Sequence, residues 1–531
     1  MGKKRDRRDA APFAPEIELK LRVAPEALPR LRRSRMLHRM LGGARSRERL
    51  IATYFDTPDE RLRKMGVSLR LREENGALVQ TVKRKRRNGG AALARDEFEA
   101  PIADAAEWPK PAPDRKADAA IRKAHKRGEL QPQFVIDVRR RAGEIRCEDG
   151  ARIELAVDQG VIGEIERDAG APFAEIELEL LEGDAGALFE AARPLAAFYP
   201  LRPAIDSKAE FARRFVRGAL AAPRKAGRLD LGEASNIRGA FAALLNSVSR
   251  QFIGNVDAVA EARDPEGVHQ MRVALRRLRA AWPVFRRFEE DPQTSVLVAE
   301  SKSFQTMLGQ ARDCDVFEQE TLAKMRRAAA CDDDLNVLSG LLVARRERAW
   351  RTVLDEIDRG RAARLATELG AAAARWRARA GDPGLAQGPQ LKGFAARALR
   401  RAWRRAKGHG PDLIALSPAE RHALRIDLKK LRYGVDLFGS LFRPKTVSPY
   451  RARLRRLQDD LGAMNDAAVA ISFAEELRRE AAGGDPARAA SLARAAGLVA
   501  GWRLREVDGL LPHAQACWKD LRAAPRFWAE K

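Results

Sequence analysis

The sequence is short of several things, and each shortage narrows its chemistry. Only four cysteines occur in 531 residues (Cys147, Cys314, Cys331 and Cys517), far apart and with no Cys-x-x-Cys pair. Neither a zinc knuckle nor a disulfide framework fits that spacing, and a reducing, cytoplasmic setting is expected. No run of about 18 apolar residues is present, so no membrane span is predicted. The opening MGKKRDRRDAAPFAP lacks the apolar core of a secretory signal, and residues 1–14 read as a basic, solubilising arm. Aromatic residues make up 6%, and few interleave with the basic stretches, which argues against a specific nucleic-acid reader. Acids are outnumbered too: 74 Asp and Glu stand against 100 Lys and Arg, a formal net charge of +26. That imbalance predicts a polyanionic partner without choosing among nucleic acid, anionic lipid, nucleotide and polyphosphate.

What is present divides into two halves. Between about 15 and 215 the pattern has period two. IELKLRV, VSLRLRE, ALVQTVKRK, RDEFEA, FVIDVRRR, ARIELAVD, VIGEIERD and AEIELELL each read as a strand, with amphipathic helices near 25–40 and 184–198. Residues 216–232 lose both periodicities, collect Gly, Pro and basic residues, and read as a linker. Beyond it the chain is Ala-, Leu- and Arg-rich at helical spacing. The expected class is α+β: an eight-stranded antiparallel β tunnel or barrel with peripheral helices over 15–215, then an all-α domain of two related bundles over 233–531.

The helical half repeats itself. HQMRVALRRLRAAWPVF from His269 matches HALRIDLKKLRYGVDLF from His422, and LGQARDCDV from Leu308 matches LGAMNDAAV from Leu461, both at an offset of 153. A gapless register over two separated motifs implies two related bundles, about 235–385 and 388–531, packed about a pseudo-twofold axis.

In a strand, alternate residues share a face. Glu16, Glu18, Lys20 and Arg22 therefore oppose Ile17, Leu19, Leu21 and Val23, and Glu175, Glu177 and Glu179 oppose Ile176, Leu178 and Leu180. In an ordinary sheet the charged face meets water. Strands mixing both signs this densely also fit a closed cylinder with the charges inward, where each must be paired or hold an ion.

Glu16-x-Glu18-x-Lys20 resembles the Glu-x-Glu-x-Lys signature of the CYTH family, the triphosphate tunnel metalloenzymes. YFDTPD (54–59), LRLR (69–72), TVKRK (81–85), ARIELAVD (151–158), EIELEL (175–180) and SKAEFA (207–212) continue the resemblance in order over about 200 residues. The family includes class IV adenylate cyclases, thiamine triphosphatases and inorganic triphosphatases. The resemblance implies Mg²⁺ or Mn²⁺ held by Glu16, Glu18, Glu175 and Glu177. It implies phosphates gripped by Lys20, Arg22, Arg70, Arg72, Lys83, Arg139, Arg152 and Lys208. Glu97, Glu99, Glu154 and Asp158 would orient those bases or hold a second metal, with Glu179 beside them. The implied chemistry is phosphoryl transfer to water, driven by positioning and charge neutralisation. No covalent nucleophile is required, and no Ser/His/Asp or Cys/His constellation is evident. Some short family members pair a Lys with a Tyr near the tunnel; the early helix here, PEALPRLRRSRMLHRM, has no Tyr, so their substrate choice does not carry over.

On a helix, Met271, Leu275, Leu278, Trp282 and Phe285 form one stripe, and His269, Arg272, Arg276 and Arg279 a ridge beside it. The second copy repeats the ridge with His422, Arg425, Lys429 and Arg432. A single such ridge is commonly a solvated face, but like charges that recur in register call for an anion. This half resembles the CHAD domain, a helical module that binds inorganic polyphosphate. The resemblance implies those eight residues as the polyphosphate site, with Arg312 and Asn465 at equivalent places nearby. Asp313 and Asp466 would cap helices or orient the bases. The expected function is a metal-dependent hydrolase of inorganic triphosphate or polyphosphate, tethered to the polymer by its helical half. Two alternatives stay open: a non-catalytic polyphosphate-binding protein of polyphosphate granules, and a hydrolase or cyclase of ATP or thiamine triphosphate.

Overall fold

Acids alternating with aliphatics close the first half into a cylinder. The computed structural model describes residues 15–42, 46–74, 76–85, 92–163, 170–234, 236–328, 333–383, 390–481 and 485–529. Eight antiparallel strands, β1 (Pro15–Val23), β2 (Ser46–Asp56), β3 (Val67–Glu74), β4 (Ala77–Lys85), β5 (Leu93–Ile102), β6 (Gln131–Arg146), β7 (Arg152–Gly163) and β8 (Gly170–Glu182), follow the order β5-β4-β3-β2-β6-β7-β8-β1. The ring closes where β1 pairs with β5, Glu16 opposite Arg95 and Glu18 opposite Leu93. A ninth strand, β9 (Leu201–Ala204), continues that edge beside Lys20–Val23. Six helices accompany the sheet: α1 (Leu28–Arg32), α2 (Arg35–Met40), α3 (Arg61–Lys64), α4 (Arg115–Lys126), α5 (Gly186–Phe198) and α6 (Lys208–Val216).

Which face turns inward follows from what covers the outside. Helix α5 packs on β1 and β8 with Leu188, Phe189, Ala192 and Leu195 buried, and Leu19, Leu21, Ile176 and Leu178 of those strands are at most 3% exposed. Each such side chain contributes about 1.5–3 kcal/mol on burial. Helices α3 and α4 cover Val67, Leu69 and Val82 in the same way, through Leu62, Ala117 and Ile121. The acids and bases of these strands are thereby left to the lumen. On β2 and β6 the arrangement reverses: Leu50, Ala52, Tyr54, Ile136 and Val138 line the lumen, and Ala209 and Ala212 of α6 pack on them.

Several expectations change here. VIGEIERD is not a strand of its own; its first residues finish β7, and 164–169 lie outside the described residues. The eighth strand is instead β2, whose LIATYF stretch is apolar on both faces and shows no alternation. The helix expected over 25–40 is broken, because the Ser34 hydroxyl accepts from Met36 N and Leu37 N and starts α2 afresh. In the YFDTPD stretch, buried Asp56 accepts from Leu62 N at 2.9 Å and Arg63 N at 3.1 Å, a structural anchor for α3.

Among the described residues beyond Ala204 there is no strand. Twelve helices follow: α7 (Ile237–Ile253), α8 (Val256–Ala262), α9 (Pro265–Phe285), α10 (Pro292–Phe317), α11 (Ala323–Ala328), α12 (Asp333–Asp358), α13 (Arg361–Gly381), α14 (Leu391–Gly408), α15 (Pro418–Phe438), α16 (Pro444–Glu480), α17 (Pro486–Glu506) and α18 (Leu510–Ala523). Both ends of α9 map onto both ends of α15 at the 153-residue offset. Phe285 meets its own counterpart Phe438, ring centroids 6.1 Å apart, and Phe394 touches both at 5.6 and 6.0 Å. A residue meeting its own equivalent is what a twofold requires near its axis.

The chain forms two compact units. One comprises Met1–Arg224 with Ser249–Gly267 and Glu356–Arg375; the other comprises Lys225–Val248, Val268–Asp355 and Trp376–Lys531. The first is thus completed by pieces of the helical half, through Arg22 Nη1 to Asp257 Oδ2 at 2.5 Å and Arg193 Nε to Glu368 Oε1 at 2.7 Å. In the second, Phe285→Ala is expected to lower stability by about 3–5 kcal/mol. Denaturant unfolding followed by helical circular dichroism measures this, and an unmoved midpoint would contradict the core drawn here.

Candidate functional site

The lumen encloses a cavity of about 90 Å³ whose walls carry both signs of charge. Lys20, at the centre of β1, is buried among three carboxylates. Its ammonium donates to Glu177 and lies 2.7 Å from Glu18 Oε2 and 3.6 Å from Glu175 Oε1. Burial works against its charge, but Glu177, Glu18 and Glu175 overcome it and raise its pKa well above the ordinary value. Lys208, at the start of α6, reaches the same acids: Glu177 at 2.6 Å, Asp158 at 2.8 Å and Glu175 at 3.3 Å. Arg140 donates to Asp158 from two nitrogens and to Glu177 at 2.5 Å. On the facing wall Lys83 donates to both oxygens of Glu16 at 2.9 Å, Arg70 faces Glu97 and Glu99, and Arg72 reaches Glu99 at 3.1 Å.

The carboxylates titrate apart. Burial pushes Glu175 up, only partly offset by Lys20 and Lys208. Burial also opposes the charge on Glu177, yet Lys20, Lys208 and Arg140 hold it well below the usual range. Glu18 Oε1 and Glu175 Oε1 are buried with no hydrogen bond, only ion-pair contacts, the shortest of 3.3 Å to Arg95 and Lys208 respectively, and Arg70 Nε and Arg72 Nε are buried without a hydrogen bond. Carboxylate oxygens so weakly satisfied fit a hard divalent cation, and guanidinium N–H groups left over fit an anion. Among the described residues the cavity is lined by six carboxylates (Glu16, Glu18, Glu97, Asp158, Glu177 and Glu179) and seven bases (Lys20, Arg70, Arg72, Lys83, Arg95, Arg140 and Lys208), with Glu99, Glu154 and Glu175 in ion pairs to those bases.

The structure gathers most of the expected residues in the lumen, but not all. Arg22 is engaged by Asp257 and Glu261 and stacks on Phe211, 4.3 Å from its ring, off the cavity wall. Arg139 points outward and is exposed; its neighbour Arg140 takes the inward place, in phase with buried Phe134, Ile136 and Val138. Arg152 pairs with Glu144 at 2.9 Å and Glu182 at 2.8 Å and does not line the cavity. Arg95, 3.3 Å from Glu18, was legible from its phase with Glu97 and Glu99. Tyr54 was missed: its hydroxyl accepts from Arg70 Nη1 at 3.4 Å, and although burial opposes it, Arg70 and Lys83 lower its pKa.

In the second unit the two ridges come together in repeat-related fashion. Arg272 lies 3.7 Å from Asp313 and Arg425 lies 3.8 Å from Asp466, equivalent pairs. Both acids lie well inside α10 and α16, so they orient bases rather than cap helices. His422 Nδ1 is 3.1 Å from Asn465 Oδ1, and Arg312 lies near Arg272. Burial lowers the pKa of Arg425, with Arg276 of the other repeat adding to it. Burial, with Arg425 and Arg276, pushes Lys429 down to about 8. Arg272 Nη1, Arg276 Nε and Arg425 Nε are buried without a hydrogen-bond partner. His269, Arg276, Arg279 and Arg432 line a cavity of about 1030 Å³.

One constellation not seen in the sequence does form. Asp460, His513 and Cys517 bring ligand-type atoms within 4.8 Å of one another, from α16 and α18. Burial and Asp460 push the Cys517 thiol up, which keeps it a poor nucleophile.

Residues 14–212 match the model of the CYTH domain, and residues 243–475 match that of the CHAD domain. An inorganic triphosphatase of Haemophilus influenzae is 30% identical over 189 residues, 33% of this chain and 47% of that protein, so the match spans about half the relative's length. Among solved structures, the CHAD domain of the plant Ricinus communis is 27% identical with a TM-score of 0.46, over 57% of this chain and 99% of that one. A Hippeastrum protein with a dominant triphosphatase activity is 21% identical with a TM-score of 0.29, over 39% and 97%.

The inward phase of β6 is testable on neighbouring residues. Arg140→Gln strips buried Asp158 of its bidentate partner and is expected to cost about 3 kcal/mol. Arg139→Gln is expected to leave the thermal midpoint where it was. Equal effects of the two substitutions on thermal unfolding would refute the assignment.

Proposed function

Because the chain carries a CYTH domain followed by a CHAD domain, we propose that it is a metal-dependent hydrolase of inorganic triphosphate or of the end of longer polyphosphate, with the helical half binding the polymer. The observation that carries this reading is the convergence of Glu18, Glu175 and Glu177 on one buried point of the lumen, beside a set of bases suited to phosphate. Glu18, Glu175 and Glu177, with Glu16 across the lumen, would hold Mg²⁺ or Mn²⁺ through hard oxygen donors. A bound cation of this kind neutralises phosphate charge and lowers the pKa of coordinated water.

The remaining work belongs to the protein's own groups. Arg70, Arg72, Lys83, Arg95 and Lys208 are placed to bind phosphate oxygens from several sides. Glu97 and Glu99 hold Arg70 and Arg72 in place; Asp158 holds Arg140 and Lys208. Leu50, Ala52, Ile136 and Val138 make one wall apolar, which strengthens each electrostatic contact opposite them. A triphosphate would bind by taking over bases now paired with acids, leaving those acids to hold the cation.

In the helical half, buried guanidinium N–H groups without partners on Arg272, Arg276 and Arg425 favour a linear polyanion along the ridges. These same groups give the second reading, binding without turnover, its support. Phosphate release from tripolyphosphate separates the two.

Glu18→Gln is expected to reduce Mg²⁺- or Mn²⁺-dependent phosphate release on the order of 100-fold, and a chelator to abolish it. Release unaffected by either would remove the hydrolase reading. Polyphosphate binding by the ridge is expected to weaken as pH rises from 7 to 9. Lys429 is cationic below about 8 and neutral above it, so one phosphate-attracting charge disappears across that window. Titration of Lys429→Gln should lose that pH step, and a step that persists in the variant assigns it elsewhere.

A further inference from the structure

The 153-residue repeat allows the chain to be compared with itself, and one helix breaks the correspondence. Helix α14 is the equivalent of α7, and their buried aromatic anchors agree, Phe394 with Phe241. Three positions do not. Leu244, Val248 and Phe252 of α7 are buried, at 2%, 0% and 0% exposure. Their counterparts on α14 are Arg397, Arg401 and Arg405, spaced four apart and so on one face, with Arg397 and Arg405 exposed and Arg401 half-buried. Gln251 of α7 likewise becomes Arg404. A stripe that is core in the first repeat is an arginine rail in the second.

Nothing among the described residues neutralises this rail. Among the described residues no carboxylate pairs with Arg397, Arg401 or Arg405. Burial lowers the pKa of Arg401, and the other groups acting on it are all arginines: Arg287, Arg397, Arg404 and Arg405. Like charges at four-residue spacing destabilise a helix, so the cluster is costly unless an anion covers it. The rail also has a direction. Arg401 and Arg405 line the cavity of about 1030 Å³ that His269, Arg276, Arg279 and Arg432 line from α9 and α15. The two acids on that wall are already engaged, Asp427 with Lys430 and His409, Asp436 with Arg451.

We propose that Arg397, Arg401 and Arg405 of α14 form a second, one-sided binding segment for linear polyphosphate, continuous through this cavity with the duplicated ridge. The inference rests on the polyphosphate reading given above and adds to it a polarity: a chain long enough to leave the ridge is held further on the second-repeat side only. Planar guanidinium forks on a straight rail suit successive phosphate units, and the scarcity of aromatic side chains on the wall disfavours stacked bases.

The test uses the full chain in chelator, which keeps metal-assisted binding in the lumen out of the readout. Long-chain polyphosphate, tripolyphosphate and single-stranded RNA are titrated into wild type, R397Q/R401Q/R405Q and R397K/R401K/R405K at several salt concentrations. The glutamine variant is expected to bind long polyphosphate on the order of 10-fold more weakly, with a salt slope shallower by about two. It should bind tripolyphosphate, too short to span ridge and rail, within about twofold of wild type. The lysine variant keeps the charge and should retain most of the long-chain affinity, which separates loss of charge from misfolding; unchanged helical circular dichroism checks the same point. Long-chain affinity equal to wild type in the glutamine variant overturns the proposal. So does RNA that displaces long polyphosphate from wild type and loses affinity in the variant, which would make the rail a nucleic-acid surface. Failure of wild type itself to bind long polyphosphate removes the underlying reading instead, and this proposal with it.

Discussion

The first half of the protein is governed by one constraint: a charge shut inside a closed sheet must find a counter-charge. Lys20 shows how the rest follows. Placed at the centre of β1, its ammonium is surrounded by Glu18, Glu175 and Glu177, and those acids are in turn met by Arg95, Lys208 and Arg140. Each side chain is fixed by a partner from another strand, so the positions of the bases are set before any substrate arrives. Replacing the network by aliphatics would often be no less stable. Under the proposed function, the cost of burying these charges is offset by what the network would bind.

The helical half meets the opposite condition. Its core is apolar and aromatic around Phe285, Phe394 and Phe438, and the bases lie beside that core rather than inside a sheet. Among the described residues, Asp313 and Asp466 are the acids that approach the motif arginines Arg272 and Arg425, both at nearly 4 Å. Few acids face the ridge, and Lys429 is shifted downward by burial first, with the crowded Arg425 and Arg276 adding to it. The two halves thus differ in compensation: the bases lining the lumen are paired with carboxylates, and those of the ridge mostly are not.

Much of this was legible from residue order, and the failures have physical causes. β1 and β8 were readable because acids and aliphatics alternate strictly and a helix covers the aliphatic side. β2 was not, since Leu50, Ala52 and Tyr54 face the lumen while Ile51 and Phe55 face outward, leaving no contrast between its faces. Arg139 was preferred to Arg140 because aliphatics were assigned to the outside on every strand. On β6 they face α6 within the lumen, and the run Arg139-Arg140-Arg141 offers no second clue to phase. Arg22 has the lumen-facing phase, but Asp257 and Glu261, more than 230 residues away in sequence, capture it. No local pattern could show that. The repeat was fully visible, and α14 shows that an imperfect match within it is informative as well.

The two halves compensate their charges differently, and under the proposed function that difference sets a division of labour. Bases that lie beside an apolar core with few acids near them attract a polyanion without help, over a distance limited by screening. Bases already paired with buried carboxylates offer a polyanion much less until a cation takes those carboxylates over. On that reading polymer capture would be metal-independent and salt-sensitive, whereas entry into the tunnel would depend on the metal and, once the charges are buried, be far less sensitive to salt. Joining the two on one chain would then raise the local concentration of polymer ends near the lumen. The arginines on α14 would strengthen the first step alone, and leave cleavage to the acids and bases around Lys20.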